Sequence, residues 1–316
     1  MTSGELRTAS PTPNTHHRVG AVVLNYRTPE DTWLAVRSLQ MSARQIADVI
    51  VVDNGSADGS ADRLRSTLPD VQVLASPTNL GFSGGCNLGI KEALRRGADL
   101  VLLMNSDAVL PPDALERMEE VLLTNPDVGI VAPVLLSRAT PEKIASRGIT
   151  FSDVTGRMWN RGFGTEYATV ESAAMTIVDG ASACVMLVRR QVFDRIGHLD
   201  EKYFFSFEDL DFCLRARRAG LQTAIVDNAV AYHEGSRSIG PRSPRRLYFA
   251  TRNHLLMARQ VAPLRVPGLG LLRSGFILAL NAAFAMSSRD MSRPEALKSV
   301  ARGAWHHLLR RYGDGP

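Results

Sequence analysis

Three carboxylates within four positions follow a nearly all-aromatic run in Phe204-Phe205-Ser206-Phe207-Glu208-Asp209-Leu210-Asp211. A carboxylate beside aromatic walls is partly desolvated, which raises its proton affinity toward the range a general base needs. The ordinary structural explanation is an acidic first helical turn that complements the helix dipole. Asp211 stands four residues before Arg215, the spacing of an ion pair on one helix face. That leaves Glu208 and Asp209 at the helix start. Asp209, beside the apolar stripe of Leu210, Cys213 and Leu214, is the better placed to project into a cleft. It is the candidate base, with Glu208 and Asp211 as secondary candidates.

Asn105-Ser106-Asp107 follows an apolar run directly. A carboxylate there can bind a divalent cation that is itself held by a diphosphate, or it can cap the helix that begins near Pro111. His233 follows Ala229-Val230-Ala231-Tyr232. A lone histidine is commonly structural, but this one could complete a metal site with Asp107. Asp53-Asn54-Gly55-Ser56 is turn chemistry, or else Asp53 accepts a ligand N–H such as a pyrimidine imide. The segment Asn79-Leu80-Gly81-Phe82-Ser83-Gly84-Gly85-Cys86-Asn87 has the spacing G-x-x-G-G and not G-x-G-x-x-G. It is expected to be a loop whose glycines let backbone approach closely.

The elements that must position these groups alternate. Apolar runs at residues 19–24, 49–52, 71–74, 100–104 and 129–132 are expected strands. Helices are expected at 29–40, 58–68, 87–96 and from Pro111 onward. This alternation predicts an α/β fold with a mostly parallel sheet and helices on both faces. Ligands in such folds sit beyond the carboxyl ends of the strands, where Asn25, Tyr26, Asp53, Asn105 and Asp107 fall. Periodicity fades over 137–176, a loop and hairpin region. Strands are expected again at 177–178, 183–188 and 221–226, with a short helix at 190–196. After Gly240-Pro241 the chain becomes helical and basic.

Five segments occur in order: Val22-Val23-Leu24-Asn25-Tyr26, Val51-Val52-Asp53-Asn54-Gly55-Ser56, Asn79-Leu80-Gly81-Phe82, Leu103-Met104-Asn105-Ser106-Asp107 and the Phe205–Asp211 run. Together they resemble glycosyltransferase family 2 with its GT-A fold, especially the bacterial rhamnosyltransferase-like branch. The resemblance covers roughly residues 19–260. It implies a donor site holding Asn25, Tyr26, Asp53, Gly81 and Asn105, with Asp53 on the nucleobase. It implies that Asp107, at the last position of the D-x-D motif, binds Mg²⁺ or Mn²⁺ with His233, and that Asp209 is the base. Asn105 replaces the first aspartate of that motif, which implies modest metal affinity. The implied activity is inverting transfer of a sugar, L-rhamnose among the options. The donor is a dTDP- or UDP-sugar. The acceptor is a hydroxyl of a glycan or polyprenyl-diphosphate-linked molecule in cell-surface polysaccharide synthesis. Two rival classes are a nicotinamide-dependent oxidoreductase, opposed by the missing dinucleotide fingerprint, and a nucleotide-regulated membrane adaptor, which leaves the acidic cluster unexplained.

Composition bounds these readings. With 316 residues, 45% hydrophobic and 22% charged, wholesale disorder and fibrous repeats are excluded. Cys86, Cys184 and Cys213 are an odd number without C-x-x-C, which argues against a disulfide framework or zinc ribbon and for a reducing, cytoplasmic setting. Residues 1–17 are rich in Ser, Thr and Pro and are expected to be a disordered arm without a secretory signal. A catalytic domain is expected over 18–240, with a nucleotide-binding half at 18–135 and an acceptor-side half at 136–240. Residues 241–316 form a helical basic extension. From Arg237 onward 14 Lys and Arg face 3 Asp and Glu, a balance of +11; the remaining 23 and 29 give −6. The charge of the tail suits an anionic partner such as nucleic acid, a phosphate-bearing substrate or a membrane surface; with the family resemblance, nucleic acid is not the expected partner and peripheral membrane contact is. Its apolar stretch, residues 274–286, is 13 long, against about 20 for a membrane span. Phe276, Ile277, Leu280 and Phe284 are expected to share one apolar helix face, flanked by Arg265, Arg273, Arg289 and Arg293. That face would lie on a membrane, or pack on the domain or a second subunit.

Overall fold

In chain order the first half consists of β1 (Val19–Asn25), α1 (Pro29–Gln40), β2 (Asp48–Asp53), α2 (Ser60–Thr67), β3 (Gln72–Ala75), α3 (Gly81–Arg95), β4 (Leu100–Asn105), β5 (Ala108–Val109), α4 (Ala114–Thr124) and β6 (Val128–Ser137). There follow β7 (Ile144–Ser146), β8 (Ile149–Phe151), β9 (Met158–Asn160), β10 (Thr176–Val178), β11 (Val185–Arg189), α5 (Arg190–Ile196), α6 (Glu208–Arg218) and β12 (Gln222–His233). Three helices end the chain: α7 (Pro244–Gln260), α8 (Leu269–Ser287) and α9 (Arg293–Leu308). The computed structural model describes residues 17–169, 173–235, 243–260, 266, 268–287 and 292–315. The expected N-terminal arm, apart from His17, lies outside the described residues.

The main sheet runs β10-β12-β6-β11-β4-β1-β2-β3, with β5 paired to β12 and β7 to β6. Strands β1 to β4 are mutually parallel, and β11 enters antiparallel between β4 and β6. The expected α/β architecture, a mostly parallel sheet covered on both faces, is what the chain forms. Side chains alternate across each strand, so β1 contributes Val19, Ala21 and Val23 to one core and Val22 to the other. Leu39 of α1, Leu64 of α2 and Leu122 of α4 cover the first face. Ile90 of α3 and Phe212 of α6 cover the second.

Several boundaries differ from the sequence expectation, with strand β6 running on to Ser137 and two further differences at the site. Helix α3 begins at Gly81, not near Asn87, so the glycine-rich segment is its first turns. Glycine disfavours helix intrinsically, but here close packing overrides propensity: a Cβ on Gly85 would stand 2.5 Å from Leu24 Cδ1. Strand β12 runs on to His233 instead of ending near Val226. An irregularity between Val226 and Val230 absorbs the polar interruption. Asp227, 2% exposed, is bonded there by Arg147 Nε at 2.7 Å and Thr176 Oγ1 at 2.6 Å.

The C-terminal extension is helical as expected, but α8 corrects the sequence reading twice. It is 19 residues long with a mean hydropathy of 1.6, long and apolar enough by length and composition to cross a membrane. The 13-residue estimate stopped at Arg273, whose charge is hidden in the fold: it is buried, and its guanidinium bonds the carbonyls of Asp153 and Ala258. Arg273 is thus not available to headgroups. The expected apolar stripe is also divided. Ile277 is buried against Leu255 and Ala258, whereas Phe276 and Phe284 are exposed. Arg293 is exposed, and Arg265 and Arg289 lie outside the described residues.

Candidate active site

Strand β4 ends at Asn105, and the chain turns through Ser106 and Asp107 into β5. Residues β5 and β12 pair antiparallel with His233 opposite Ala108. That register carries His233 to Asp107, with Nε2 3.1 Å from Oδ1. The distance is that of an ion pair, yet Nε2 makes no aligned hydrogen bond. For Asp107, burial opposes ionisation, but the close approach and charge of His233 outweigh it and its pKa falls below the ordinary value. For His233, burial disfavours the charge, and the neighbouring Cys184 and Asp107 overcome it and raise the pKa. Burial pushes the Cys184 thiol up, which leaves the Asp107 carboxylate as the charge beside the imidazole; a divalent cation bound there would take the place of the imidazole proton.

Asp107 and His233 wall a cavity together with Tyr26, Asn54, Gly81, Asn105, Phe204 and Arg245. Of the expected donor-site residues, Tyr26, Gly81 and Asn105 line it. Asn25 and Asp53 do not line it, because their side chains are buried beneath and bonded to each other. Asn25 Nδ2 donates to Asp53 Oδ1 at 2.6 Å, and Ser56 Oγ donates to the same oxygen at 2.5 Å. Asn25 Oδ1 in turn accepts from Thr32 Oγ1 at 2.8 Å. The pair ties the end of β1 to the end of β2. A carboxylate has about four lone-pair sites, so Asp53 Oδ2, which takes only the Ser56 N–H at 3.3 Å, keeps capacity for another donor.

Gly81 has φ +74°, the left-handed region, and a Cβ there would lie 2.5 Å from the Phe204 carbonyl oxygen. The Phe82 N–H donates to that same oxygen at 2.6 Å. The glycine-rich segment and the aromatic run, far apart in sequence, therefore meet. Asn54 braces the contact by donating to the Gly81 carbonyl at 2.9 Å and accepting from Leu80 N–H at 3.0 Å.

The acidic cluster opens α6. Asp211 bonds Arg215 Nε at 2.8 Å, the pair its spacing predicts. Glu208 is buried with Oε2 unpartnered. Burial first, then the charge of Asp209, pushes its carboxyl well above the ordinary range. Asp209 is raised too, by burial, although the Leu210 N–H donates to Oδ1 at 2.8 Å. Neither Glu208 nor Asp209 lines the cavity; they are the first residues after the turn that supplies Phe204 and Phe205 to it. Cys184 feels Asp107 and Asp209 alike, so the two carboxylates share one electrostatic neighbourhood.

Several cavity residues were not among the sequence candidates, Asn54 and Arg245 among them. Asn54 stood inside a motif attributed to its aspartate. Arg245, at the start of α7, carries its guanidinium 6.0 Å from the Phe204 ring and 5.7 Å from that of Phe249. Only tertiary contact reveals Arg245; the sequence shows one arginine among many.

The donor set fits a divalent cation that brings other ligands with it. Among the described residues no three His, Cys, Asp or Glu side chains cluster as a complete metal site. Asp107 and His233 offer two donors, and the buried Asn105 Oδ1 has no partner within the protein. Mg²⁺ and Mn²⁺ sites commonly use one or two protein carboxylates plus phosphate oxygens and water.

Comparison with known proteins agrees with this arrangement. A hexosyltransferase of low-salt glycan biosynthesis from Haloferax volcanii is 27% identical over 219 residues, 65% of this chain and 64% of the relative. The N-acetylglucosaminyl-diphospho-decaprenol L-rhamnosyltransferase of Mycobacterium tuberculosis is 27% identical over 222 residues, 64% of this chain and 71% of the relative. The solved structure of GalNAc-T7 with UDP, GalNAc and Mn²⁺ superposes with a TM-score of 0.57 at 11% identity, over 82% of this chain and 55% of that one. At that identity the likeness is one of fold. This chain thus spans less than two thirds of the Haloferax relative and of the GalNAc-T7 chain. The family profile described as "Glycosyltransferase like family 2" matches residues 17–259. A match over most of the chain, on a GT-A sheet whose strand ends carry the ordered motifs, makes this protein a member of glycosyltransferase family 2.

Proposed function

We propose that this protein transfers a sugar, with inversion, from a nucleotide-diphospho-sugar to a hydroxyl of a glycan or polyprenyl-diphosphate-linked acceptor. The observation that carries the reading is the pairing of β5 with β12, which sets His233 beside Asp107 at the mouth of β4. Asp107 and His233, with Asn105 beside them, would hold Mg²⁺ or Mn²⁺, which offsets charge developing on the departing diphosphate. Arg245, beside Phe204 in the cavity lining, supplies a second positive charge. Tyr26 and the Gly81 backbone seat the nucleoside, and Asp53, buried beneath the cavity with capacity left on Oδ2, would meet the base only once the ligand or the loop above it moves. Asp209 takes the acceptor proton as the acceptor oxygen bonds the anomeric carbon and the bond to the diphosphate oxygen breaks. General-base help of this kind is worth about 10²–10⁴-fold.

The name of the mycobacterial relative supports L-rhamnose as the sugar and a lipid-diphosphate acceptor. With such an acceptor the enzyme would work at the cytoplasmic face of the membrane, a setting that suits the apolar surface of α8. We assign the catalytic domain to residues 18–240, with the nucleotide bound by 18–135 and the acceptor by 136–240, and Arg245 of α7 reaching the cavity from beyond it. The helices of 241–316 form the extension.

A panel of dTDP-, UDP- and GDP-sugars, incubated with Mn²⁺ and a polyprenyl-diphosphate acceptor, tests the reading. One donor should be consumed with acceptor-dependent product of opposite anomeric configuration. Asp107→Ala should abolish the effect of Mn²⁺ on nucleoside-diphosphate affinity measured by calorimetry. Retention of anomeric configuration, or an undiminished Mn²⁺ effect in the variant, would overturn the corresponding assignment.

A further inference from the structure

The turn that delivers the acidic cluster is held by two side chains on α7. Asn253 Nδ2 lies 2.7 Å from the Tyr203 carbonyl, 2.8 Å from that of Phe205 and 2.9 Å from that of Ser206. Arg252 Nη2 donates to the carbonyls of Lys202 at 3.1 Å and Tyr203 at 3.2 Å. Arg252 Nε donates to Asn253 Oδ1 at 3.0 Å, which fixes the amide with its NH₂ toward the turn. Both residues are 0% exposed.

What they hold is a conformation the chain would not keep by itself. Phe204, Ser206 and Phe207 have φ of +57°, +68° and +76°, and none is glycine. Left-handed backbone at aromatic residues persists only where the surroundings over-determine it, and it concentrates at functional sites. The Phe204 carbonyl is taken by Phe82 of α3, so α3 and α7 grip the turn from two sides. Arg252 contributes this through a buried cation whose bonded partners are carbonyl, amide and hydroxyl oxygens. Burying a cation opposes stability. Its return is directional restraint of backbone, which an apolar pair would not supply.

We propose that Arg252 and Asn253 are positioning residues: they fix the turn at 204–207 and through it set Asp209 at the head of α6. The inference rests on the assignment of Asp209 as base. It makes α7, which lies beyond residue 240, part of the catalytic unit.

The test is a double-mutant cycle with Asn253→Ala and Asp209→Asn, measured on the full chain with donor, acceptor and Mn²⁺. Asn253→Ala should lower kcat by about 10–10²-fold, the scale expected when a reacting group is misplaced by about 1 Å. The KM for donor and the affinity for the nucleoside diphosphate should stay within about twofold. In the Asp209→Asn background the same substitution should cost almost nothing further, because the group it positions is already gone. Equal losses in both backgrounds, or no loss in the wild type, would overturn the proposal. Amide exchange gives a readout independent of turnover: it should accelerate at residues 203–209 and not in β1 or β4. Uniform acceleration would mean a general loss of stability and would count against positioning. Should Asn253→Ala not fold, Arg252→Lys is measured in its place. It keeps the charge, loses the Nε bond to Asn253, and is expected to lower kcat in the same pattern. A wild-type protein that transfers no sugar from any donor would instead remove the assignment of Asp209, and this inference with it.

Discussion

Asp209 and Glu208 are adjacent carboxyls, both raised by burial, and they differ in what holds them. Asp209 keeps a backbone N–H on Oδ1, whereas Glu208 has an oxygen with no partner at all. The charge is therefore more easily carried by Asp209, as a base requires. Asp209→Asn should reduce kcat by at least about 10²-fold while leaving nucleoside-diphosphate affinity nearly unchanged. The sign of the pH dependence follows from the direction of the shift. A base works only when ionised, and its pKa stands above the usual aspartate value of 3.8. The rate should thus fall with acidification at a pH higher than an ordinary aspartate would give, and that limb should be missing from the residual activity of Asp209→Asn. Loss of turnover in Glu208→Gln with a fully active Asp209→Asn would move the role to Glu208.

At the scale of elements, the site depends on how closely α3 approaches the turn before α6. Gly81 and Gly59 share left-handed φ values, +74° and +84°, but a Cβ at Gly59 meets nothing within 4 Å. Gly59→Ala should therefore lose only the backbone preference, about 1 kcal/mol. Gly81→Ala adds a collision with the Phe204 carbonyl and ring, and should cost about 1–3 kcal/mol more. It should also weaken nucleoside-diphosphate binding, because the collision displaces a wall of the cavity. Denaturant unfolding of the two variants together with calorimetry checks both statements. Equal stability losses would mean that the approach is not a tight one.

For the whole molecule, the salient feature is an apolar helix left largely uncovered. Only 17% of the apolar window of α8 is buried within the protein, and Leu271, Leu272, Phe276 and Phe284 are exposed, as are Trp305 and Leu308 of α9. Exposed basic residues on α9, among them Arg293, Lys298 and Arg302, flank this surface. Apolar residues interspersed with cations suit an anionic bilayer. Co-sedimentation with phosphatidylglycerol vesicles should be strong at low salt, weaker at high salt, and weakest with neutral phosphatidylcholine. Leu271→Glu with Leu272→Glu should abolish it. Arg273→Gln should perturb the fold and not the lipid contact, because that arginine is bonded inside. A protein left in the supernatant with every vesicle would point to a soluble partner for α8.

The sequence by itself determined what depends on neighbours along the chain. Continuous apolar runs with turn residues between them specified β1 to β4 and α1, and the i to i+4 spacing specified the Asp211–Arg215 pair. Five short motifs in order specified the family. What it could not specify were boundaries and meetings set by distant residues. Helix α3 starts six residues early because the sheet accepts its glycines. Strand β12 continues through Asp227 because Arg147 and Thr176 satisfy that carboxylate from elsewhere. The same holds at the site. Residue types announced Asp107, His233 and Asp209, but only strand register brings His233 to Asp107. Only packing sinks Asn25 and Asp53 beneath the cavity, and it alone brings Arg245, Arg252 and Asn253 from the C-terminal helices to the turn of the base. Hydrogen-bond partners and burial are properties of three-dimensional neighbourhood, and a periodicity read along one chain carries no record of them.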